Sequence, residues 1–161
     1  EGGDVLALVI DSSDNIYAGT NGGIFKSTNG AISWTSMNKE LKNTDVGALI
    51  LDASGNLYAG THGGVFKLMN ASTNWELVAD GLTNHSILSF AFDSLGNLYA
   101  GTNGSGIFKL AVGDSTWTAL TAEKIGSSKN QAYSITFDSL DNLYAGTDSS
   151  VFKLNKGGTS W

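Results

Sequence analysis

The sequence predicts an all-β fold, a β-propeller of four-stranded antiparallel blades, and three repeated features carry that prediction. The string Tyr-Ala-Gly-Thr occurs at Tyr17, Tyr58, Tyr99 and Tyr144. A Phe-Lys pair follows each string, at Phe25, Phe66, Phe108 and Phe152. A tryptophan lies nine residues after each phenylalanine, at Trp34, Trp75, Trp117 and Trp161. The tyrosine spacings of 41, 41 and 45 residues match the length of one propeller blade.

The first repeat divides into strands separated by turn sequences. We predict strand A at 5–10, strand B at 16–20 and strand C at 24–27, with strand D beginning near Ser33 and Trp34. The Asn, Asp and Gly residues between them tolerate positive φ at low cost. Both alternating sets of side chains in strand A are apolar, as expected of a blade that packs between two neighbours.

The repeats divide the 161 residues into a single domain of four blades. The expected blades are 4–41, 42–82, 83–125 and 126–161. The longer last spacing has two sources, one extra residue in 102–106 and three in 121–132.

Composition excludes several classes of partner. All nine basic residues are lysines, they are scattered, and the net charge is −6. Nucleic acid and anionic membranes need clustered positive charge, so neither is an expected partner. No run of 18 apolar residues is present, which predicts no membrane insertion. The absence of cysteine excludes disulfides and thiolate chemistry.

The first residues, Glu1-Gly2-Gly3, include neither a methionine nor a signal peptide. Such a start is expected of a processed mature chain or an excised piece. We therefore expect a secreted protein, located outside the cell or on its surface.

The segment from Phe25 to Trp34 resembles an Asp-box, the Ser-x-Asp-x-Gly-x-Thr-Trp hairpin of sialidase-type (BNR-like) repeat propellers. Ser27 matches the serine, whereas Asn29 replaces the aspartate and Ala31 replaces the glycine, so the box is degenerate. Similar blades occur in xyloglucanases, sortilin-like receptors, photosystem assembly factors and two-component-regulator propellers. The resemblance covers all four repeats, and it implies a propeller in which the box is a structural turn remote from catalysis.

Catalytic residues are not expected. A sialidase requires arginines that pair with the substrate carboxylate, and the chain has none. A glycoside hydrolase requires two carboxylates flanking the scissile bond. The aspartates after strand A recur once per blade, so we expect them to cap turns; they are Asp11, Asp52, Asp93 and Asp138. A glycoside-hydrolase-related enzyme is therefore the least supported alternative.

No metal or cofactor is expected either. The segments 11–15 and 138–142 lack the full ligand set of a calcium loop, and a hairpin turn is the better interpretation. His62 and His85 are the two histidines, and two histidines alone make a poor zinc site.

A candidate binding rim comprises polar residues that vary while the repeat is constant. Four of them follow the Gly-Thr of each repeat, namely Asn21, His62, Asn103 and Asp148. Four more belong to the connections from strand D to strand A, namely Asn43, Asn84, His85 and Tyr133. Varied polar loops on a rigid scaffold are typical of binding surfaces, here for a protein or glycan ligand, and solvated turns are the alternative.

The fourth repeat ends at Trp161, in register with the earlier tryptophans, and an unpaired edge promotes association. The sequence leaves three arrangements open: a closed four-blade ring, two chains forming an eight-blade ring, or a larger ring or filament. We favour a homo-oligomer, with Val5 and Trp161 at the assembly edge.

The function predicted from the sequence is a non-catalytic interaction and self-assembly scaffold. The alternative is a carbohydrate-binding, lectin-like propeller. Against that alternative, the tryptophans, phenylalanines and most tyrosines occupy repeated core positions, which leaves few aromatic side chains to stack on sugars.

Overall fold

The computed structural model describes residues 2–82, 86–120, 125–126 and 129–161. In these residues the chain forms four antiparallel sheets, which are the four blades. No helix among them is long and apolar enough to cross a membrane.

The strands follow one another within each blade. Blade 1 contains β1 (Val5–Ile10), β2 (Ile16–Thr20), β3 (Gly23–Ser27) and β4 (Thr35–Ser36). Blade 2 contains β5 (Val46–Leu51), β6 (Leu57–Thr61), β7 (Gly64–Leu68) and β8 (Trp75–Leu77). Blade 3 contains β9 (Ile87–Phe92), β10 (Leu98–Thr102), β11 (Ile107–Leu110) and β12 (Thr118–Ala119). Blade 4 contains β13 (Ser134–Phe137), β14 (Leu143–Gly146) and β15 (Val151–Leu154).

The all-β propeller prediction is confirmed, with small differences at the strand ends. Strands A and B of the first repeat have the predicted bounds, and strand C begins one residue earlier because Gly23 pairs with Thr20. Strand D begins at Thr35, after Trp34, because the Ser33 amide donates to the Asn29 side chain at 3.0 Å and extends the preceding turn. Blade 4 has three strands instead of four in the described part of the chain.

The hydrophobic core lies between the blades. The first cluster joins Tyr17 and Ile24 of blade 1 to Val46, Leu49 and Trp75 of blade 2. Equivalent clusters lie between blades 2 and 3 and between blades 3 and 4. Each blade therefore depends on a neighbour to bury its apolar faces, as in other repeat architectures.

The four blades form an open arc. Strand β1 packs against β5, β5 against β9, and β9 against β13. No comparable packing joins the described strands β1 and β13, so the chain does not close a four-blade ring on itself. The expectation that every tryptophan is a core residue is wrong for Trp34, which is 41% exposed because no blade covers that face of blade 1.

Candidate binding rim and end faces

The turns between strands B and C are held by the threonine of the Tyr-Ala-Gly-Thr string. In blade 2 the buried Thr61 hydroxyl donates to the Gly64 carbonyl at 3.0 Å and accepts from the Gly63 amide at 2.9 Å. The same pair of bonds recurs at Thr20, Thr102 and Thr147. These turns are therefore rigid supports for the side chains beside them.

The rim residues lie beside the connections that precede strand A. The backbone amide of Asn21 donates to the Asp4 carbonyl, that of His62 to Asp45, and that of Asn103 to Ser86. The structure thus brings Asn21, His62 and Asn103 to the same end of their blades. That these residues bind a ligand stays a prediction.

In blade 2, three polar residues of the rim form one group. The His62 Nδ1 atom lies 3.1 Å from Asp45 Oδ2, with the histidine side chain 55% exposed. The Asp45 amide donates to Asn43 Oδ1 at 3.0 Å. Asp45 belongs to the same connection before strand A as the predicted rim residue Asn43, and an aspartate at this position recurs at Asp4.

The rim of blade 3 is linked to the start of strand A in blade 4. The Tyr133 hydroxyl donates to Gln131 Oε1 at 2.8 Å, and the side-chain Nε2 of Gln131 donates to Asn103 Oδ1. Gln131 belongs to the same connection before strand A as the predicted rim residue Tyr133. Asp148 lies close to Gly126, where an added Cβ would be 2.8 Å from Asp148 Oδ1. The predicted rim residues Asn84 and His85 lie outside the described residues.

At the turns between strands A and B, each repeated aspartate caps its turn, as predicted. Asp11 Oδ1 accepts from the amides of Ser13 and Asn15 at 2.9 and 3.0 Å. Asp11 Oδ2 accepts from the Asn15 side chain at 2.8 Å and the Tyr17 hydroxyl at 3.0 Å. Asp52, Asp93 and Asp138 make the same four bonds in their blades.

These bonds set the charge state of the capping carboxylates. Burial alone would raise the pKa of Asp11, but hydrogen bonds from Asn15, Ser13 and Tyr17 lower it to about 2. The tyrosine is a partner that sequence reasoning missed. The signal was available in the constant Asp-to-Tyr spacing of six residues in every repeat.

The lysine of each Phe-Lys pair covers the ring of that tyrosine. Lys26 and Lys67 place Nζ 5.0 Å from the ring centroids of Tyr17 and Tyr58. Lys109 and Lys153 do the same at 5.5 Å. Cation–π contacts of this kind explain the repeated lysine as structural.

The two ends of the arc expose faces that are covered elsewhere in the chain. On blade 1, Val5, Leu8 and Ile10 are 57%, 63% and 61% exposed, whereas their blade 2 counterparts Val46 and Leu49 are 0% and 9% exposed. We call this surface, together with Trp34, the blade 1 end face. Of the two predicted assembly-edge residues, Val5 lies on it, whereas Trp161 packs against the cluster between blades 3 and 4.

The opposite surface is the blade 4 end face, formed by Ser134, Thr136, Gly146 and Val151. Val151 is 69% exposed, whereas its counterparts in the other blades are buried, namely Ile24, Val65 and Ile107. Both end faces are therefore surfaces of the type that adjacent blades cover in the interior of the arc.

The chain matches no protein-family model and no curated protein. Among solved structures it is similar to an ancestral GH74 enzyme, with 27% identity and a TM-score of 0.81 over 99% of this chain and 24% of the other. It is also similar to the extracellular domain of BT4673 from B. thetaiotaomicron, with 20% identity and a TM-score of 0.81 over 99% of this chain and 21% of the other. The chain spans about a quarter or less of these two proteins.

A third neighbour is YCF48 bound to D1 peptide, with 12% identity and a TM-score of 0.66 over 95% of this chain and 49% of the other. The fold of the chain is a β-propeller. These neighbours are an enzyme, an extracellular domain and a protein bound to a peptide, so the likeness shows the fold and does not determine the function.

Proposed function

We propose that this chain is a non-catalytic interaction and self-assembly scaffold that works outside the cell or on its surface. The observation that carries the proposal is the blade 1 end face, where Val5, Leu8 and Ile10 are more than half exposed. Contiguous exposed apolar side chains typically mark protein interaction surfaces. The degenerate Asp-box hairpins of the repeat serve this scaffold as turns.

The capping aspartates support a role without catalysis. A general acid near neutral pH needs a pKa raised toward the working pH. Local hydrogen bonds instead lower the pKa of Asp11 to about 2 and also lower the pKa of Asp52 and Asp138, each chiefly through its turn asparagine against the effect of burial. These carboxylates accept hydrogen bonds within their own turns.

Two of the solved neighbours are consistent with the proposed location and role. BT4673 provides an extracellular domain of this fold, and YCF48 binds a peptide. The rigid turns of the rim, with Asn21, His62, Asn103 and Asp148, offer this chain a second surface for a protein ligand.

A carbohydrate-binding role has less support. The groove between blades 2 and 3, about 340 Å³ in volume, is lined by Tyr58 and Phe92. However, Lys67 covers the Tyr58 ring, and Phe92 packs against the same ring in a T-shaped arrangement with the ring centroids 5.7 Å apart. A sugar therefore finds little free aromatic face at this tyrosine.

Light scattering across a dilution series tests the proposal. We expect the average mass to exceed one chain at micromolar concentration and to fall on dilution, because an apolar face drives reversible association. Leu8→Lys should shift this transition to higher concentration, while Val112→Lys, a control at another exposed apolar residue, should not. A constant single-chain mass, together with sugar binding in a glycan array that is lost on changing Asn21 or His62, would favour the lectin instead.

A further inference from the structure

Adjacent blades meet through one repeated arrangement. In blades 1 to 3, the glycine of the Tyr-Ala-Gly-Thr string lies close to a residue at the start of strand A, or just before it, in the next blade. A Cβ added to Gly19 would lie 2.8 Å from Val46 Cγ1, and one added to Gly60 would lie 2.5 Å from Ile87 Cγ2. At Gly101 an added Cβ would lie closest to Ser89 Oγ of its own blade, and then to Ala132 of blade 4, at 2.7 Å from the carbonyl oxygen and 3.0 Å from the Cβ. At each interface, the strand A region of one blade therefore packs against a glycine of the preceding blade.

The two end faces each carry one half of this arrangement. The blade 1 end face projects Val5 and Leu8, the counterparts of Val46 and Leu49. The blade 4 end face provides Gly146, where the three atoms nearest to an added Cβ all belong to Ser134 of the same blade. One chain thus carries both surfaces of such an interface, and they lie at opposite ends of the arc.

Polar contacts at the interface between blades 3 and 4 show a second, more specific correspondence. The Ser94 amide donates to Asp141 Oδ1 at 3.0 Å, and the Ser94 hydroxyl donates to Asp141 Oδ2. The Ser89 hydroxyl donates to the Ala132 carbonyl at 3.2 Å. These bonds hold strand A and the following turn of blade 4 against blade 3.

The end faces repeat the residues of that interface. Ser139 of blade 4 stands where blade 3 has Ser94, and Asp14 of blade 1 stands where blade 4 has Asp141. Asp14 and Asp141 share an unusual backbone angle, φ of 59°. The corresponding positions of the two interior blades are glycines, Gly55 and Gly96. The aspartate thus occurs in blade 4, where it contacts the Ser94-Leu95 turn of blade 3, and in blade 1, where no such turn lies against it among the described residues.

We propose that a second copy of this chain docks its blade 1 end face on the blade 4 end face, with Asp14 accepting hydrogen bonds from Ser139 of the first copy. This inference rests on the proposed scaffold function and specifies its partner. Two such contacts, related by a two-fold axis, close eight blades into one ring. Val5 and Leu8 then cover Gly146, and Ser134 donates to the Val5 carbonyl as Ser89 does to Ala132.

Sedimentation velocity with one variant for each face tests this pairing. Leu8→Lys alters the blade 1 end face, and Val151→Glu alters the blade 4 end face. Every contact needs one face of each kind, so either variant alone should raise the dimer dissociation constant at least tenfold. An equimolar mixture should restore the dimer, because it contains one unaltered contact and one in which lysine meets glutamate. Val112→Lys is the matched control and should sediment like the unaltered chain.

The outcomes separate this pairing from the general proposal. If the unaltered chain forms dimers and both face variants do so equally well, the interface lies elsewhere and the pairing is wrong, although self-assembly stands. If the unaltered chain sediments as a monomer at micromolar concentration, both proposals fail. Species larger than two chains contradict the two-chain ring.

A double-mutant cycle provides a second readout that leaves the apolar faces intact. Asp14→Ala and Ser139→Ala both replace exposed side chains. Each should weaken the dimer, and the second should have little further effect once the first is present. Additive effects on the dissociation constant would contradict direct contact between these residues.

Discussion

At the scale of single residues, backbone geometry explains one recurrent position of the repeat. The residue four positions before each tryptophan has positive φ, with values of 68°, 66°, 90° and 70° at Gly30, Ala71, Gly113 and Gly157. A side chain is strained in this region, whereas glycine is not. Blade 2 is the exception, because it places an alanine there.

Ala71→Gly should therefore stabilise the protein. We expect the free energy of unfolding to rise by up to about 1 kcal/mol, because relief of backbone strain outweighs the added entropy of the unfolded chain. Gly113→Ala is the matched reverse change, since an added Cβ there meets no atom within 4 Å and tests the backbone alone. Gly113→Ala should lower the free energy of unfolding by a similar amount. Urea unfolding measures both, and a loss of stability in Ala71→Gly would contradict the strain.

The cap Asp11 and the interface residue Asp141 make the stability of the fold depend on pH. The pKa of Asp11 is held at about 2 by its turn hydrogen bonds against the effect of burial, and that of Asp141 at about 2 by Ser94 and Lys156. A free aspartate has a pKa of about 3.9, so this contribution is complete above pH ~4 and is lost as the pH falls toward 2.

The midpoint temperature of thermal unfolding, measured by circular dichroism, should accordingly decrease as the pH is lowered from ~4 to ~2. Asp11→Asn should show a weaker dependence, because one titrating cap is gone. Asp114→Asn, at an exposed position in the turn after β11, serves as the control and should retain the full dependence. A midpoint independent of pH in this range would contradict the role of the caps.

At the scale of elements, two equivalent tryptophans differ in their hydrogen bonding. Trp75 Nε1 donates to the Met37 carbonyl of blade 1 at 2.8 Å. Trp117 Nε1 is buried and has no hydrogen-bond partner among the described residues. Both side chains are almost fully buried between blades, at 6% and 4% exposure.

Trp75→Phe should therefore destabilise the protein more than Trp117→Phe. Both changes lose buried area, but the first also breaks a hydrogen bond between blades, and the second removes an unsatisfied donor. We expect the two free energies of unfolding to differ by about 1 kcal/mol or more. Urea unfolding of the two variants provides the measurement, and an equal or larger cost for Trp117→Phe would be inconsistent with these contacts.

The elements also show what could be predicted from the sequence. Strands A to C were predictable within a residue in blade 1, because Asn-Gly and Asp turns separate runs of Val, Ile, Tyr and Phe. Strand D was not, because its two residues in blade 1 are placed by the Asn29 turn and by pairing of Lys26 with Thr35. The aspartate caps were predictable from local spacing, whereas the Tyr17 hydroxyl bond depends on the fold of the hairpin.

At the scale of the whole molecule, the open arc could not be predicted, because closure depends on the angle between successive blades. Which residues form the end faces depends on that angle. Leu8 and Ile10 look like ordinary strand residues in the sequence, and they become a surface feature only because none of the described blades lies against them. Conversely, Trp161 belongs to the interior between blades 3 and 4.

Because the chain has no cysteine, disulfide trapping can test whether the two end faces meet between copies. Asp14→Cys and Ser139→Cys in one chain place thiols at positions that should meet only between copies. The pair Ser94→Cys and Asp141→Cys is the internal control, because those side chains contact each other within the chain.

Oxidation of the Asp14→Cys, Ser139→Cys chain, followed by non-reducing electrophoresis, is the most direct measurement. We predict a covalent species of twice the 16.8 kDa chain, absent from either single-cysteine variant. A product that remains a single chain, while the control pair forms its internal disulfide, would contradict the assembly of two arcs through their end faces.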